Sequence, residues 1–403
     1  MSDAGALVLI MTLAVLAPAL TYLTGRWLAV PVVVVEILLG VLVGPAVLGL
    51  LQPDDLIEVL SQLGLCTLIF LAGYEIDFAA VSGPVLRRSV CAWLVSLALG
   101  LGAAVLIATG GTDAALYVGV ALTSTALGTV LPVLRDTGGL RGRLGSAVLT
   151  YGAVGEFGPI IAVALLLSGR APGRAALVLT AFALLTAGAV YLATRPKPPW
   201  FAAVVARTLD TSAHLPVRFV MLLLAAMLAI SSAFGLDVLL GAFAAGVLTR
   251  LVLRDASPAD RKTTMSKIEG FGFGFLVPLF FISTGVGFDL DALLGGGRPL
   301  LLLGLFLLLF LLVRGLPVLL LAPPGMPLRE RAGLGLYCST ALPLIVAITS
   351  LGVSGGALET AEAAALVGAG MLSVLLFPLL ATRCAPGGTD ASPTARRAAT
   401  EGW

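Results

Sequence analysis

Apolar runs of about 20 residues, the length a helix needs to cross the hydrocarbon core of a bilayer, recur thirteen times along this chain. They begin near Ala6, Pro31, Ile57, Ser89, Ala115, Leu144, Ala175, Phe219, Leu236, Ile268, Pro299, Ala332 and Glu362. With 59% hydrophobic and only 11% charged residues over 403 positions, such a chain is not soluble as a single globular domain. The fold class is an all-α polytopic membrane protein. The longest polar interruptions, Arg195 to Arg218 and Arg254 to Lys267, are too short for a soluble domain, and spans 8 and 9 join tightly at Gly235.

Several function classes drop out early. No GxxxxGK[ST] loop is present, which argues against ATP-driven pumping by this chain. The single histidine, His214, lies in a polar connection and excludes schemes that need a buried His. Cys66, Cys91, Cys338 and Cys384 have no CxxC spacing and read as free packing thiols. The N-terminus carries Asp3 and no early Lys or Arg, so it lacks the basic flank of a signal peptide and reads as a retained first helix.

The charges set the orientation. If connections alternate sides, one side with the C-terminal tail carries Arg26, Arg87, Arg88, Arg135, Arg141, Arg143, Arg195, Lys197, Arg207, Arg218, Arg250, Arg254, Arg261, Lys262, Lys267, Arg329, Arg331, Arg383, Arg396 and Arg397. The other side carries Arg170, Arg174 and Arg298, and Arg314 lies inside span 11. Twenty basic residues against three is a positive-inside signal that predicts a plasma (inner) membrane protein with its C-terminus in the cytoplasm and its N-terminus outside.

The chain also repeats itself. Glu36-Ile37-Leu38-Leu39-Gly40 matches Asp237-Val238-Leu239-Leu240-Gly241, the Gly73 to Asp77 end of span 3 matches Gly285 to Asp289, and Ser124-Thr125-Ala126-Leu127 recurs as Ser339-Thr340-Ala341-Leu342. The offsets are 201, 212 and 215 residues, and each pair lies seven spans apart. An odd separation inverts the second copy, which predicts a six-plus-six inverted repeat bridged by span 7, an architecture typical of secondary transporters.

Both Ser-Thr pairs precede helix-disrupting residues, Gly128 and Pro132 in span 5 and Pro343 in span 12. Proline removes a backbone donor and clashes with the preceding turn, and hydroxyls satisfy freed carbonyls. One reading is a pair of helices broken at the midplane with their half-helix ends near an ion; the other is ordinary kinked helices with Ser and Thr packing. Glu156 is the one charge in the run from Leu144 to Leu167, within Gly152-Ala153-Val154-Gly155-Glu156-Phe157-Gly158-Pro159. A carboxylate near the bilayer centre costs about 2.5 to 3.5 kcal/mol on insertion scales, and the glycines around it admit another backbone or an ion. A lone carboxylate holds either a proton or a monovalent cation, and that exclusion suffices to couple opposite fluxes; the alternative is an internal ion pair with no transport role.

Arg314 lies about eight residues, or roughly 12 Å, from the inner end of span 11, where it either partners Glu156 or snorkels to the interface. Glu36 and Asp237 are secondary candidates, placed in first helical turns where the macrodipole favours a carboxylate. Asp77 and Asp289 close spans 3 and 10 and read as interfacial. Gly295-Gly296-Gly297 reads as a flexible outer turn, and Gly272-Phe273-Gly274 falls inside a span, so neither is a phosphate loop.

The stretches Glu36-Ile37-Leu38-Leu39-Gly40-Val41-Leu42-Val43-Gly44-Pro45, Phe70-Leu71-Ala72-Gly73-Tyr74-Glu75-Ile76-Asp77 and Pro278-Leu279-Phe280-Phe281-Ile282-Ser283-Thr284-Gly285 resemble the monovalent cation:proton antiporter superfamily, especially its bacterial sodium/proton exchanger and potassium-efflux branches. The resemblance implies a homodimer with a transmembrane domain over about residues 1–383. Spans 1 to 3 and 8 to 10 (about 6–78 and 218–290) would form its dimerisation part. Spans 4 to 6 and 11 to 13 (about 88–168 and 299–383) would form a moving core, with span 7 (about 174–194) as the bridge and 384–403 as a short cytoplasmic tail. It implies that spans 5 and 12 unwind where they cross, placing Ser124, Thr125, Ser339 and Thr340 at the crossing. It also implies that Glu156 is the ion-binding acid and Arg314 the core basic residue. Family members usually carry Asp preceded by Asp, Asn or Gln at the acid, whereas here the pair is Gly155-Glu156, and Arg stands where electrogenic members commonly have Lys.

Arg keeps its proton at physiological pH, so Glu156 alone is expected to titrate and exchange to be one-for-one and electroneutral. The resulting expectation is Na⁺ or K⁺ exchange for H⁺ by alternating access, with the metal ion held at Glu156 as cargo rather than as a structural site. A proton-coupled exporter of an organic ion or small molecule, and a non-transporting membrane sensor or subunit, are the alternatives. Membrane lipid and a second copy are the expected partners; no nucleic acid, cofactor or enzymatic chemistry is expected.

Overall fold

The computed structural model describes residues 3–24, 30–52, 55–75, 83–108, 110–136, 139, 142–167, 172–193, 214–255 and 257–384, and their regular structure is helical. In chain order the helices are α1 (Asp3–Thr24), α2 (Val32–Val43), α3 (Asp55–Glu75), α4 (Gly83–Ile107), α5 (Gly111–Ala121), α6 (Leu127–Asp136), α7 (Arg143–Leu166), α8 (Pro172–Ala193) and α9 (Leu215–Ala233). They continue as α10 (Val238–Val252), α11 (Pro258–Phe271), α12 (Val277–Val286), α13 (Leu290–Leu294), α14 (Gly297–Leu309), α15 (Leu316–Leu320), α16 (Leu328–Ser339), α17 (Pro343–Ser354) and α18 (Thr360–Cys384). Asp77, Arg26, Arg141, Arg170, Arg195, Lys197, Arg207, Arg396, Arg397 and the tail from 385 lie outside the described residues.

Nine helical stretches among the described residues are long and apolar enough to cross a membrane, and Val32–Val43, Leu177–Ala189 and Val238–Val252 are shorter apolar helices. Predicted span 5 falls outside this set because it is broken into α5 and α6, of 11 and 10 residues. One boundary differs clearly from the sequence reading. The stretch Arg254 to Lys267, read as a polar interruption, is mostly helix: Ser257 caps α11 by accepting from the Asp260 N–H at 3.1 Å, and Pro258 occupies the first turn, where its missing N–H is no loss. A π-helical stretch, Gly272–Leu276, carries α11 on into α12, and this is where Gly272-Phe273-Gly274 lies. A second π-helical stretch, Phe310–Gly315, joins α14 to α15.

The chain divides into two compact units, Met1–Ile76 with Ile160–Leu293, and Asp77–Pro159 with Leu294–Trp403. In the first, α2 crosses α12 so closely that a Cβ on Gly40 would meet the Ile282 carbonyl oxygen and one on Gly285 would meet that of Ile37. The copy of this crossing in the repeat is α3 against α10, where Gly73 faces Phe243 and Gly246 faces the Phe70 carbonyl. Small residues serve this purpose in membranes, where lipid offers no hydrophobic drive and close backbone packing supplies the attraction. Ile10, Val43, Ile57, Leu279 and Ile282 form the apolar cluster beside the α2–α12 crossing.

The second unit is built around Leu127, Val130, Val148, Tyr151, Val318, Leu334, Tyr337 and Cys338, drawn from α6, α7, α15 and α16. The Tyr151 hydroxyl donates to the Leu321 carbonyl at 2.6 Å, and Arg88 donates to that of Ala322 at 3.2 Å. These bonds satisfy carbonyls at the end of α15, where the helix has no partner of its own to offer.

Candidate functional site

Two interrupted helices meet inside the second unit. The first is unwound from Leu122 to Ala126 and the second from Thr340 to Leu342. The break in span 5 therefore falls on the Ser-Thr pair itself, ahead of Gly128 and Pro132, whereas Pro343 opens the second half-helix at its first position. The first break is bonded to the second and to the helix end before it: the Ala126 N–H donates to the Thr340 carbonyl at 2.7 Å and the Thr125 hydroxyl donates to that of Cys338 at 2.6 Å.

Backbone groups freed by unwinding need partners in a buried site, and local hydroxyls supply several. Ser124 donates to the Ala121 carbonyl at 2.8 Å, Ser339 to that of Gly335 at 2.8 Å, and Thr340 to that of Leu336 at 3.2 Å. Such back-bonding competes with the helical ladder and favours an irregular turn. Ser373 of α18 completes the second break: its hydroxyl oxygen accepts from the Ala341 N–H at 3.1 Å. Sequence reasoning passed over Ser373, although a lone hydroxyl in the apolar run of α18 was the available signal.

Glu156 lies on α7 and is 9% exposed. Gly152, Gly155 and Gly158 form a strip along the same helix that receives Leu127, the Arg314–Thr125 pair and the Trp93 ring respectively. The Thr125 N–H donates to the Gly155 carbonyl at 3.0 Å, which fastens the first break directly to the residue preceding Glu156.

Arg314 is fully buried within the π-helical stretch, a geometry often found at functional sites. Its Nε donates to the Thr125 hydroxyl at 3.0 Å and its Nη2 to the Tyr151 carbonyl at 2.6 Å. Its Nη1 is buried without a hydrogen-bond partner among the described residues. The side chain therefore does not snorkel. These two bonds tie it to the first break and to α7. Since guanidinium stays protonated, the two side chains sum to zero charge when Glu156 is ionised and to +1 when it is protonated.

The secondary candidates belong to the other unit. Asp237 is the N-cap of α10 and accepts from the Leu239 N–H at 2.8 Å, a helix-capping role. Replacing Asp237 with Ala is expected to cost about 1 kcal/mol, the usual worth of such a cap. Melting in detergent checks this, and a far larger loss would assign the residue more than capping. Glu36 differs from the sequence reading: it sits beyond the first turn of α2, is 4% exposed and caps nothing. Its equivalence to Asp237 under the repeat is one of sequence, because α2 begins earlier relative to its acid than α10 does. Asp289 accepts from the Ala292 N–H at 2.7 Å at the start of α13.

Among the described residues no group of three or more His, Cys, Asp or Glu side chains could hold a metal ion, and all four cysteines are free thiols.

The sequence matches the family described as sodium/hydrogen exchanger, transmembrane, over residues 11–382. It is 27% identical over 402 residues to YjbQ of Bacillus subtilis, whose name places it among Na(+)/H(+) antiporters; the match covers 94% of this chain and 62% of YjbQ. It is 24% identical over 278 residues to the Na(+)/H(+)-K(+) antiporter GerN of Bacillus cereus, covering 65% of this chain and 67% of GerN. Among solved structures, the sodium proton antiporter MjNhaP1 from Methanocaldococcus jannaschii matches with a TM-score of 0.66 at 17% identity, covering 95% of this chain and 97% of that one, and so shares the fold. By the match that runs from residue 11 to residue 382, the chain belongs to the sodium/hydrogen exchanger family within the monovalent cation:proton antiporter superfamily.

Proposed function

We propose that this protein is a secondary active transporter that exchanges a monovalent cation, Na⁺ or K⁺, for H⁺ by alternating access. Cation and proton compete for Glu156. The observation that carries the reading is the placement of this buried carboxylate next to Gly155, whose carbonyl is bonded to the first helix break and whose open face admits the permanent cation Arg314. Membership of the exchanger family and the likeness to GerN, named as a Na(+)/H(+)-K(+) antiporter, support the choice of cargo.

Because Arg314 has no accessible neutral form, one proton leaves Glu156 for each cation that enters, and the cycle moves no net charge. Proteoliposomes holding a pH gradient test both statements. Adding Na⁺ or K⁺ is expected to dissipate the gradient, at an initial rate that is the same with and without an imposed potential. Moving one net charge against 100 mV is worth about 2.3 kcal/mol, so an electrogenic cycle would respond visibly. No flux with any monovalent cation would sink the reading, and a potential-dependent rate would sink the stoichiometry.

The same reading assigns spans 1 to 3 and 8 to 10 to a dimerisation part, spans 4 to 6 and 11 to 13 to the moving core, and the C-terminus to the cytoplasm in the plasma membrane. The excess of basic residues on one side supports the orientation.

A further inference from the structure

We propose that Gly155 and Arg314 act as one size-coupled element: residue 155 lacks a side chain because the Arg314 guanidinium fills that space, and the pair sets how closely this cation approaches Glu156. A Cβ built on Gly155 would collide with Nη2 of Arg314 and with the Thr125 hydroxyl oxygen, and would lie 2.8 Å from Thr125 Cβ. Both neighbours are held by hydrogen bonds of their own. Arg314 is fully buried and holds the Tyr151 carbonyl through that same Nη2. Thr125 is β-branched and stiff at χ1, and it is pinned by three bonds, to the Cys338 carbonyl, to the Gly155 carbonyl, and from Arg314 through its hydroxyl, while Ala126 next to it is tied to Thr340. Any side chain at 155 must therefore push the guanidinium off Tyr151, and the nearest acidic group in sequence is the carboxylate on the adjacent residue. A displaced guanidinium drawn to Glu156 opposes cation entry there, so Gly155 is a positioning residue for specificity and affinity and need not touch the ion.

The transport arm of the test rests on the proposed exchange activity; the stability arm does not. Gly155→Ala, Arg314→Lys and the double variant are compared in full-length protein for melting temperature in detergent and for cation-driven proton flux in proteoliposomes. Gly152→Ala serves as control, because the three atoms nearest a Cβ there all belong to the side chain of Leu127. Gly155→Ala is expected to lower the melting temperature and raise the apparent KM for the cation about tenfold. Gly152→Ala is expected to move the melting temperature alone. Lys has no second nitrogen to occupy the contested space, so the double variant is expected to be less impaired than the two single losses combined, by a factor of about five or more in KM. Additive losses in both readouts would overturn the proposal, as would an unchanged KM in Gly155→Ala. If the wild-type protein drives no flux, the exchange reading fails, and non-additivity of the melting temperatures still decides the size coupling.

Discussion

Replacing Glu156 with Gln is expected to abolish cation-driven proton flux, reducing it to the level of protein-free vesicles, and to leave the protein folded. The substitution is nearly isosteric, and an amide is neutral like the protonated acid, so the packing of α7 against Leu127 and Trp93 is not asked to change. What disappears is a group that can alternate between proton and cation. Glu156→Asp keeps the carboxylate one methylene further from its place and is expected to retain reduced flux. The same model dictates the pH dependence of the wild type. As pH falls, protons fill Glu156 and exclude the cation, so the apparent KM for the cation rises on the acid side, approaching about tenfold per pH unit, while the maximal rate at saturating cation holds; this is the mass-action consequence of two ligands sharing one site. A KM that stays flat with pH would remove competition from the mechanism, and flux surviving in Glu156→Gln would remove Glu156 itself.

The parts of this site that were legible in the sequence are those that depend on local chemistry. A carboxylate inside an apolar run announces itself by its cost, and a repeated Ser-Thr pair marks backbone that leaves its helix, as Thr125 and Thr340 do. Other parts depend on what lies across the fold. Nothing near Phe310 or Gly315 signals a π-helical stretch, since that geometry adds one residue per turn to suit a tertiary contact, here the reach of Arg314 to Thr125 and Tyr151. Gly155 read as the absence of a polar group; its meaning appears only when the guanidinium is seen in the vacated volume. The helix α11 was missed for a different reason. Ser257 and Pro258 are a legible start signal, but a hydropathy criterion treats any polar stretch between spans as a connection.

The largest stability effect is expected where two backbones touch. At the α2–α12 crossing a Cβ on Gly40 would meet the Ile282 carbonyl and lie 2.9 Å from Gly285 Cα, and one on Gly285 would lie 2.8 Å from Gly40 Cα. These neighbours are main-chain atoms of helices and cannot rotate away, so a methyl must force the helices apart along their whole contact. Overpacking typically costs about 1 to 3 kcal/mol, and this site belongs at or above the upper end. The intrinsic helix preference works the other way, since Ala is favoured over Gly by about 1 kcal/mol in a helix interior. Gly102→Ala in α4, where nothing lies within 4 Å of the added atom, isolates that term and is expected to leave the melting temperature unchanged or slightly raised. Gly40→Ala and Gly285→Ala are each expected to lower it by several degrees. Combining them is expected to cost less than the sum, because the first methyl already opens the crossing that the second would have struck. A double variant that loses the full sum would mean that the two glycines serve separate contacts, contrary to the shared crossing through Ile37, Gly40, Ile282 and Gly285.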